Sequence, residues 1–105
     1  MNDTTPPSPN PMQWAANGEP KEIKIGTGSF DFYATMTAAE ATDASGVVEY
    51  LFQCTTEPGL SSSWQTDRTY TVKVGRANQR YRFRVKARDL FGNETGWSFE
   101  LPSLP

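Results

Sequence analysis

Histidine is absent from this 105-residue chain, and cysteine occurs once. A metal cluster of thiols or imidazoles, a Cys–His or Ser–His nucleophile pair and an internal disulfide therefore all lack their parts. No apolar run approaches the roughly 18 residues of a membrane-spanning helix. This inventory excludes most familiar catalytic centres, and we expect no enzyme activity, no metal and no cofactor.

Net charge is also low, at −2 for the whole chain. The overall electrostatics therefore give no general case for binding nucleic acid or an anionic membrane surface. The first residues lack the basic and apolar regions of a signal peptide. A chain of this length fits one domain with a single hydrophobic core.

Proline is concentrated at one end, since four of the eight prolines lie between positions 3 and 11. Such a segment favours an extended polyproline conformation and cannot form a helix or a central strand. We therefore expect a linker over residues 1–11, one domain over 12–102 and an exit linker over 103–105, as in a piece of a larger protein. Trp14 directly follows the first linker and is expected to fill one end of the core.

Alternation of side chains with a period of two predicts the strands. It is strictest over residues 79–89, where apolar and basic side chains alternate as no amphipathic helix would allow. The apolar residues there are Tyr81, Phe83, Val85 and Ala87, and the basic row is Arg80, Arg82, Arg84, Lys86 and Arg88. Residues 69–74 and 97–101 are further predicted strands, and residues 22–25 are predicted to form a short strand or an extended loop.

Two more segments are expected to bury one face of a strand. The inward residues are Phe30, Phe32, Ala34 and Met36 in the segment 29–38, and Val48, Tyr50, Phe52 and Cys54 in the segment 47–54. Cys54 is expected to be a small buried hydrophobe. Together with turn signals about every ten residues, these segments predict an all-β, antiparallel Greek-key sandwich of about seven strands.

The order of these features resembles a fibronectin type III domain over essentially the whole chain, especially the modules that accompany bacterial polysaccharide-degrading enzymes. The resemblance rests on local patterns. These are the Pro-rich opening over 6–12, the Asp-Ala-Ser-Gly-Val run at 43–47, the strand at 81–89, Gly92-Asn93 and Trp97-Ser98. It implies an immunoglobulin-like sandwich in which Tyr81 forms a tyrosine corner, bonding its hydroxyl to backbone upstream. The usual Leu-x-Pro-x-Thr run before that tyrosine is replaced by Gly-Arg-Ala-Asn-Gln at 75–79.

The same resemblance implies a role. Such a module is a non-catalytic, monomeric spacer in a larger secreted or periplasmic protein, typically a carbohydrate-active enzyme, with the neighbouring domains of the same chain as its partners. Its rigidity would set the offset between those domains.

The basic row has two interpretations. Guanidinium groups about 6.6–7 Å apart along one strand face can contact successive anionic groups of a polymer. Alternatively, Trp97, together with Trp64, stacks on Arg82 and Arg84 as a structural ladder, because an indole attracts a cation over its ring face. We favour the ladder over the anion site.

Carbohydrate binding is the main alternative function. Exposed Trp64, Trp97 and Tyr33 would form a platform on which flat sugar rings stack, provided that the three rings lie on one face. The basic row, through Arg82 and Arg84, is the other candidate polysaccharide contact.

Overall fold

The computed structural model describes residues 4–104. Within that range the chain forms six strands and one short 3-10 helix, at Pro58–Leu60. The strands are β1 (Lys21–Lys24), β2 (Phe32–Thr37), β3 (Glu49–Cys54), β4 (Thr69–Gly75), β5 (Arg82–Arg88) and β6 (Leu101–Pro102). The all-β prediction is confirmed, although the described residues contain six strands and not seven.

The strands form two antiparallel sheets, one ordered β1-β2-β4 and the other β3-β5-β6. The sheets face each other across a shared core, since Phe52 of β3 stacks on Tyr70 of β4 with ring centres 5.6 Å apart. The core draws its most buried side chains from both sheets and from the N-terminal segment. They are Met12, Ala34, Met36, Ala38, Ala41, Tyr50, Phe52, Cys54, Phe83, Val85 and Ala87.

Strand parity placed most of these residues correctly, Cys54 included. Phe30 and Phe32 are exceptions, because Phe30 is 57% exposed and Phe32 is only partly buried and lies outside the core cluster. Phe30 lies in the turn that precedes β2, outside the strand pairing, and at Phe32 the partner strand β4 carries an extra residue, since Phe32 pairs with Gly75 and Tyr33 with Lys73. The Phe30 ring instead lies under Arg76, whose guanidinium carbon is 5.4 Å from the ring centre.

Both terminal segments are hydrogen-bonded into the body of the domain. Pro7 is fully buried, and Ser8 exchanges two backbone bonds of 2.9 Å with Thr42. At the other end, Ser103 N–H donates to Tyr81 O at 2.8 Å, and Leu104 O accepts the Glu22 N–H. The packed body thus extends into both expected linkers, although residues 1–3 and 105 lie outside the described residues.

The two anchored segments lie at opposite ends of the sandwich. Met12 donates to Gly96 O, next to the Ala87 end of β5, and the chain preceding Met12 continues beyond that end to the Ser8–Thr42 pair. Ser103 pairs with Tyr81, which directly precedes β5, and Leu104 forms a parallel bridge with Lys21. The chain therefore enters at one end of β5 and leaves past the other, along a body whose longest dimension is 53 Å.

Replacing Phe52 by alanine is predicted to cost about 3–5 kcal/mol of unfolding free energy, because the fully buried ring bridges both sheets. Phe99→Ala is the matched control, since that ring is 88% exposed, and its effect should stay within about 0.5 kcal/mol. Urea unfolding followed by circular dichroism measures both. Equal effects would contradict the core described above.

Candidate functional site

The outer face of β5 carries an ordered row of cationic and aromatic side chains. Because Phe83, Val85 and Ala87 point into the core, the basic residues between them point outward. Two tryptophans from outside the strand lie among these cations. We call the alternating set the cation–tryptophan ladder, and in spatial order its members are Arg84, Trp97, Lys86, Trp64 and Arg88.

Each indole of the ladder lies between two cations. The guanidinium carbon of Arg84 is 4.2 Å from the Trp97 ring centre, and Lys86 Nζ is 4.6 Å from the same ring. Lys86 Nζ is also 5.8 Å from the Trp64 ring centre, and Arg88 is 4.2 Å from it. Each such contact is worth roughly 0.5–2 kcal/mol. The ladder therefore stabilises the outer face of this sheet.

Trp97 is positioned by an irregular pairing with β5 in which two side-chain hydroxyls take the place of backbone carbonyls as acceptors. Thr95 and Ser98 each receive a β5 backbone N–H on the side-chain oxygen, from Ala87 and Val85 respectively, at 3.0 Å. Each of the two residues also donates its own backbone N–H to the carbonyl oxygen of the same β5 residue. Val85 and Ala87 are two residues apart on β5, but their partners Ser98 and Thr95 are three residues apart, so the segment that contains Trp97 carries one extra residue. Trp97 lies within this irregular stretch, and its indole reaches over the face of β5.

Trp64 reaches the ladder from the opposite flank. Its neighbour Gln65 exchanges two backbone bonds with Tyr50 on the outer edge of β3, at 2.6 and 3.0 Å. The hydroxyls of Ser61 and Ser62 hold the same edge by accepting the N–H groups of Cys54 and Phe52, both at 2.9 Å. The serine cluster before Trp64 thus fixes the segment that carries this indole.

Acidic and amide partners also engage the cations of the basic row. Lys86 Nζ is 2.6 Å from Glu94, and Arg88 is 2.9 Å from Glu49. Arg84 donates from Nε to the side-chain oxygen of Gln53 at 2.6 Å. Lys86 and Arg88 are therefore paired with carboxylates as well as with ring faces, and Arg84 is hydrogen-bonded to a neutral amide.

The expectation that Arg82 stacks on an indole is wrong. Within residues 4–104 no ring contact involves Arg82, which pairs its guanidinium with Glu100. The reason is register, since Ser98 is tied to Val85 and this places Trp97 between Arg84 and Lys86. Trp97 does stack on Arg84, as the sequence led us to expect.

The sugar platform of the alternative interpretation is not assembled from Trp64, Trp97 and Tyr33. Tyr33 lies on β2, opposite Ile23 and Lys73, in the other sheet. Trp64 and Trp97 lie against β5 with cations over their rings. The three aromatic side chains therefore share no face, because the two sheets present their outer faces in opposite directions.

Trp14 packs against the core, with its ring centre 6.2 Å from that of Phe52, and its indole N–H donates to Phe99 O at 3.0 Å. An open cleft of about 580 Å³ lies beside Trp14, between the N-terminal segment and the segment that contains Trp97 and Phe99. Trp14, Trp97 and Phe99 contribute to its walls. The parity of the predicted last strand gave no sign that Phe99 would be this exposed.

The Tyr81 ring packs against the core, but its hydroxyl makes no hydrogen bond within the described part of the chain. The tyrosine corner implied by the resemblance is therefore missing from residues 4–104. The preceding loop departs from the usual path, since Asn78 and Arg80 both have positive φ, and Asn78 N–H donates to Glu22. Two other tyrosines tie loops to the body: Tyr50 Oη accepts the Ala41 N–H at 2.9 Å, and Tyr70 Oη donates to Leu60 O at 2.6 Å.

Residues 4–104 contain no group of three or more His, Cys, Asp or Glu side chains placed to hold a metal ion. Over the same range, no helix is long and apolar enough to span a membrane.

No protein-family model matches this chain, and a search of curated proteins finds no match. The structure defines a class, an all-β protein of two antiparallel three-stranded sheets. The ladder lies on its outer surface, along β5.

A double-mutant cycle tests the ladder. Trp97→Ala and Arg84→Met should each destabilise the domain, and their coupling free energy should be about 0.5–2 kcal/mol because they remove the same stack. In the control cycle, Arg80→Met should be additive with Trp97→Ala, because Arg80 lies before β5 and outside the ladder. Urea unfolding gives all the values. Additivity of the Arg84 cycle would show that the stack contributes nothing.

The pKa of Glu100 is predicted to lie below its ordinary value, chiefly because Arg82 hydrogen-bonds its carboxylate, with Thr55 assisting. A depressed folded-state pKa means that this pair stabilises the fold above the unfolded pKa and is lost as pH falls through the folded pKa. Carboxyl NMR titration should find the pKa of Glu100 rising toward the ordinary value in Arg82→Gln. Arg76→Gln is the control and should leave it unchanged. An identical Glu100 titration in Arg82→Gln would contradict the assignment.

Proposed function

We propose that this chain is a fibronectin type III-like module without catalytic activity that spaces and orients neighbouring domains in a larger extracellular protein, of the kind that degrades polysaccharides. The observation that carries the proposal is the hydrogen bonding of the two terminal segments to opposite ends of one packed body. A module built this way fixes the position of one neighbouring domain relative to the other. It acts as a monomer, and its partners are the domains on either side.

The order of the strands supports the finer fold assignment. Pairing β2 with β4 and β3 with β5 sends the chain back and forth between the two sheets. This is the connectivity expected of an immunoglobulin-like Greek key. The N-terminal segment adds single bridges at Ser8 and Trp14, in the place of a regular first strand.

The engagement of the ladder also supports a structural role. A stacking or anion-binding surface needs free ring faces or free cations. The ladder places its indoles against cations and pairs Lys86 and Arg88 with acids. Its side chains are thus occupied in stabilising the module.

The spacer role is tested in the natural longer polypeptide by measuring the distance distribution between the two flanking domains with paired spin labels. A Gly/Ser chain of the same residue count has an end-to-end distance of about 50–60 Å. Because the long dimension of the module is 53 Å, the two means would be similar. The proposal predicts a narrow distribution with the module and a broad one after its replacement by Gly/Ser. Equal widths would contradict the spacer role.

Carbohydrate binding is the second candidate, favoured by the cleft beside Trp14 and by the 88% exposure of Phe99. An exposed ring next to an open cleft can stack on the flat face of a sugar. Affinity electrophoresis in gels containing neutral or sulfated polysaccharide separates the two candidates. The spacer proposal predicts no retardation of the parent chain. Retardation lost in Phe99→Ala but kept in Arg84→Met would establish the cleft as a sugar site.

A further inference from the structure

The loop that follows β5 is held rigidly by Asp89, which is only 4% exposed. One of its carboxylate oxygens accepts the backbone N–H groups of Phe91 and Asn93, at 2.8 and 2.9 Å. The other accepts the side-chain amide of Asn93 at 2.8 Å. Gly92, with a φ of 84°, completes the turn in a conformation that favours glycine. The conformation of residues 89–93 is therefore largely fixed.

This fixed loop presents large apolar side chains to solvent. Leu90 is 63% exposed and Phe91 is 56% exposed, and Val47 is 42% exposed. Val47, Leu90 and Phe91 line one open cleft of about 430 Å³, and we call these three residues the apolar tip. Single exposed apolar residues are ordinary, but a cluster on a preorganised loop is typical of an interaction surface.

The apolar tip lies at the end of the domain where the N-terminal segment joins the body. Ser8 is paired with Thr42, and the short loop from Thr42 leads to Val47. Glu49, directly after that loop, pairs with Arg88 at the end of β5. The Pro-rich segment and the apolar tip therefore share one end of the sandwich.

The size of the apolar tip argues against a second copy of this chain as its occupant. Its three side chains present on the order of 300 Å² of apolar surface, whereas a stable complex buries roughly 800 Å² on each partner. A domain covalently attached where the chain enters needs far less area, because tethering raises the effective concentration of the two surfaces. The adjacent charges of Arg88 and Glu49 neutralise each other, which suits an apolar partner surface.

We propose that the apolar tip is the contact surface for the domain attached through the Pro-rich segment, and that this domain meets it with an apolar patch of its own. The inference rests on the proposed spacer function and adds the surface that fixes the angle at one junction. Anchoring at Ser8 fixes where the chain enters, and the apolar tip fixes how the neighbour is oriented.

The test uses the natural polypeptide containing the preceding domain and this one, and measures the rotational correlation time of each domain by ¹⁵N relaxation. The two domains should tumble together. Leu90→Ser with Phe91→Ser should lower both correlation times toward their values in isolation. The matched control is Ile25→Ser with Phe30→Ser, at residues 52% and 57% exposed on the opposite end, and it should change nothing.

Folding is checked separately, since the Asp89 clamp binds backbone N–H groups and should survive in Leu90→Ser with Phe91→Ser. The thermal midpoint of the isolated chain should therefore be unchanged. Independent tumbling in the parent polypeptide, or joint tumbling that persists in this variant, would overturn the inference. Domains joined rigidly by another surface would leave the spacer function standing. Self-association of the isolated chain that the variant abolishes would instead identify a second copy as the occupant.

Discussion

The period-two geometry of β5 is the constraint on which most of this structure depends. A strand must send consecutive side chains to opposite faces. In β5 this places Phe83, Val85 and Ala87 in the core and the basic residues outside. Since β5 is the central strand of its sheet, with β3 and β6 on its flanks, both sets of contacts are made in the middle of the domain. The core residues and the ladder residues of β5 therefore lie on opposite faces of the same strand.

The ladder extends this constraint to segments that are not regular strands. Trp97 and Trp64 arrive from opposite flanks of β5, each held by hydroxyl or backbone bonds to the neighbouring strand. Cations that would repel one another along the strand are separated by indoles and partly neutralised by Glu49 and Glu94. Like charges two residues apart thus become a source of stability, because an aromatic face lies between them.

Strand parity predicted what depends on local alternation. It placed Cys54, Phe52 and Val85 inside and the basic row outside. It failed where strand alternation does not set a residue's environment: Phe30 lies in the turn before β2, and Arg82 pairs with Glu100 because Ser98 sets the register of Trp97. Packing of the Pro-rich segment could not be predicted either, since its bonds go to Thr42, far along the chain.

A module that fixes the offset between its neighbours must hold its own two ends at one distance. Spin labels at Ser8→Cys and Leu104→Cys, both exposed sites, measure that distance in the isolated chain, while the fully buried Cys54 stays unlabelled. We expect a single narrow distribution, because both labelled segments are hydrogen-bonded to the body. A broad distribution would mean that the terminal segments detach in solution, and it would contradict the rigid-spacer account at its centre.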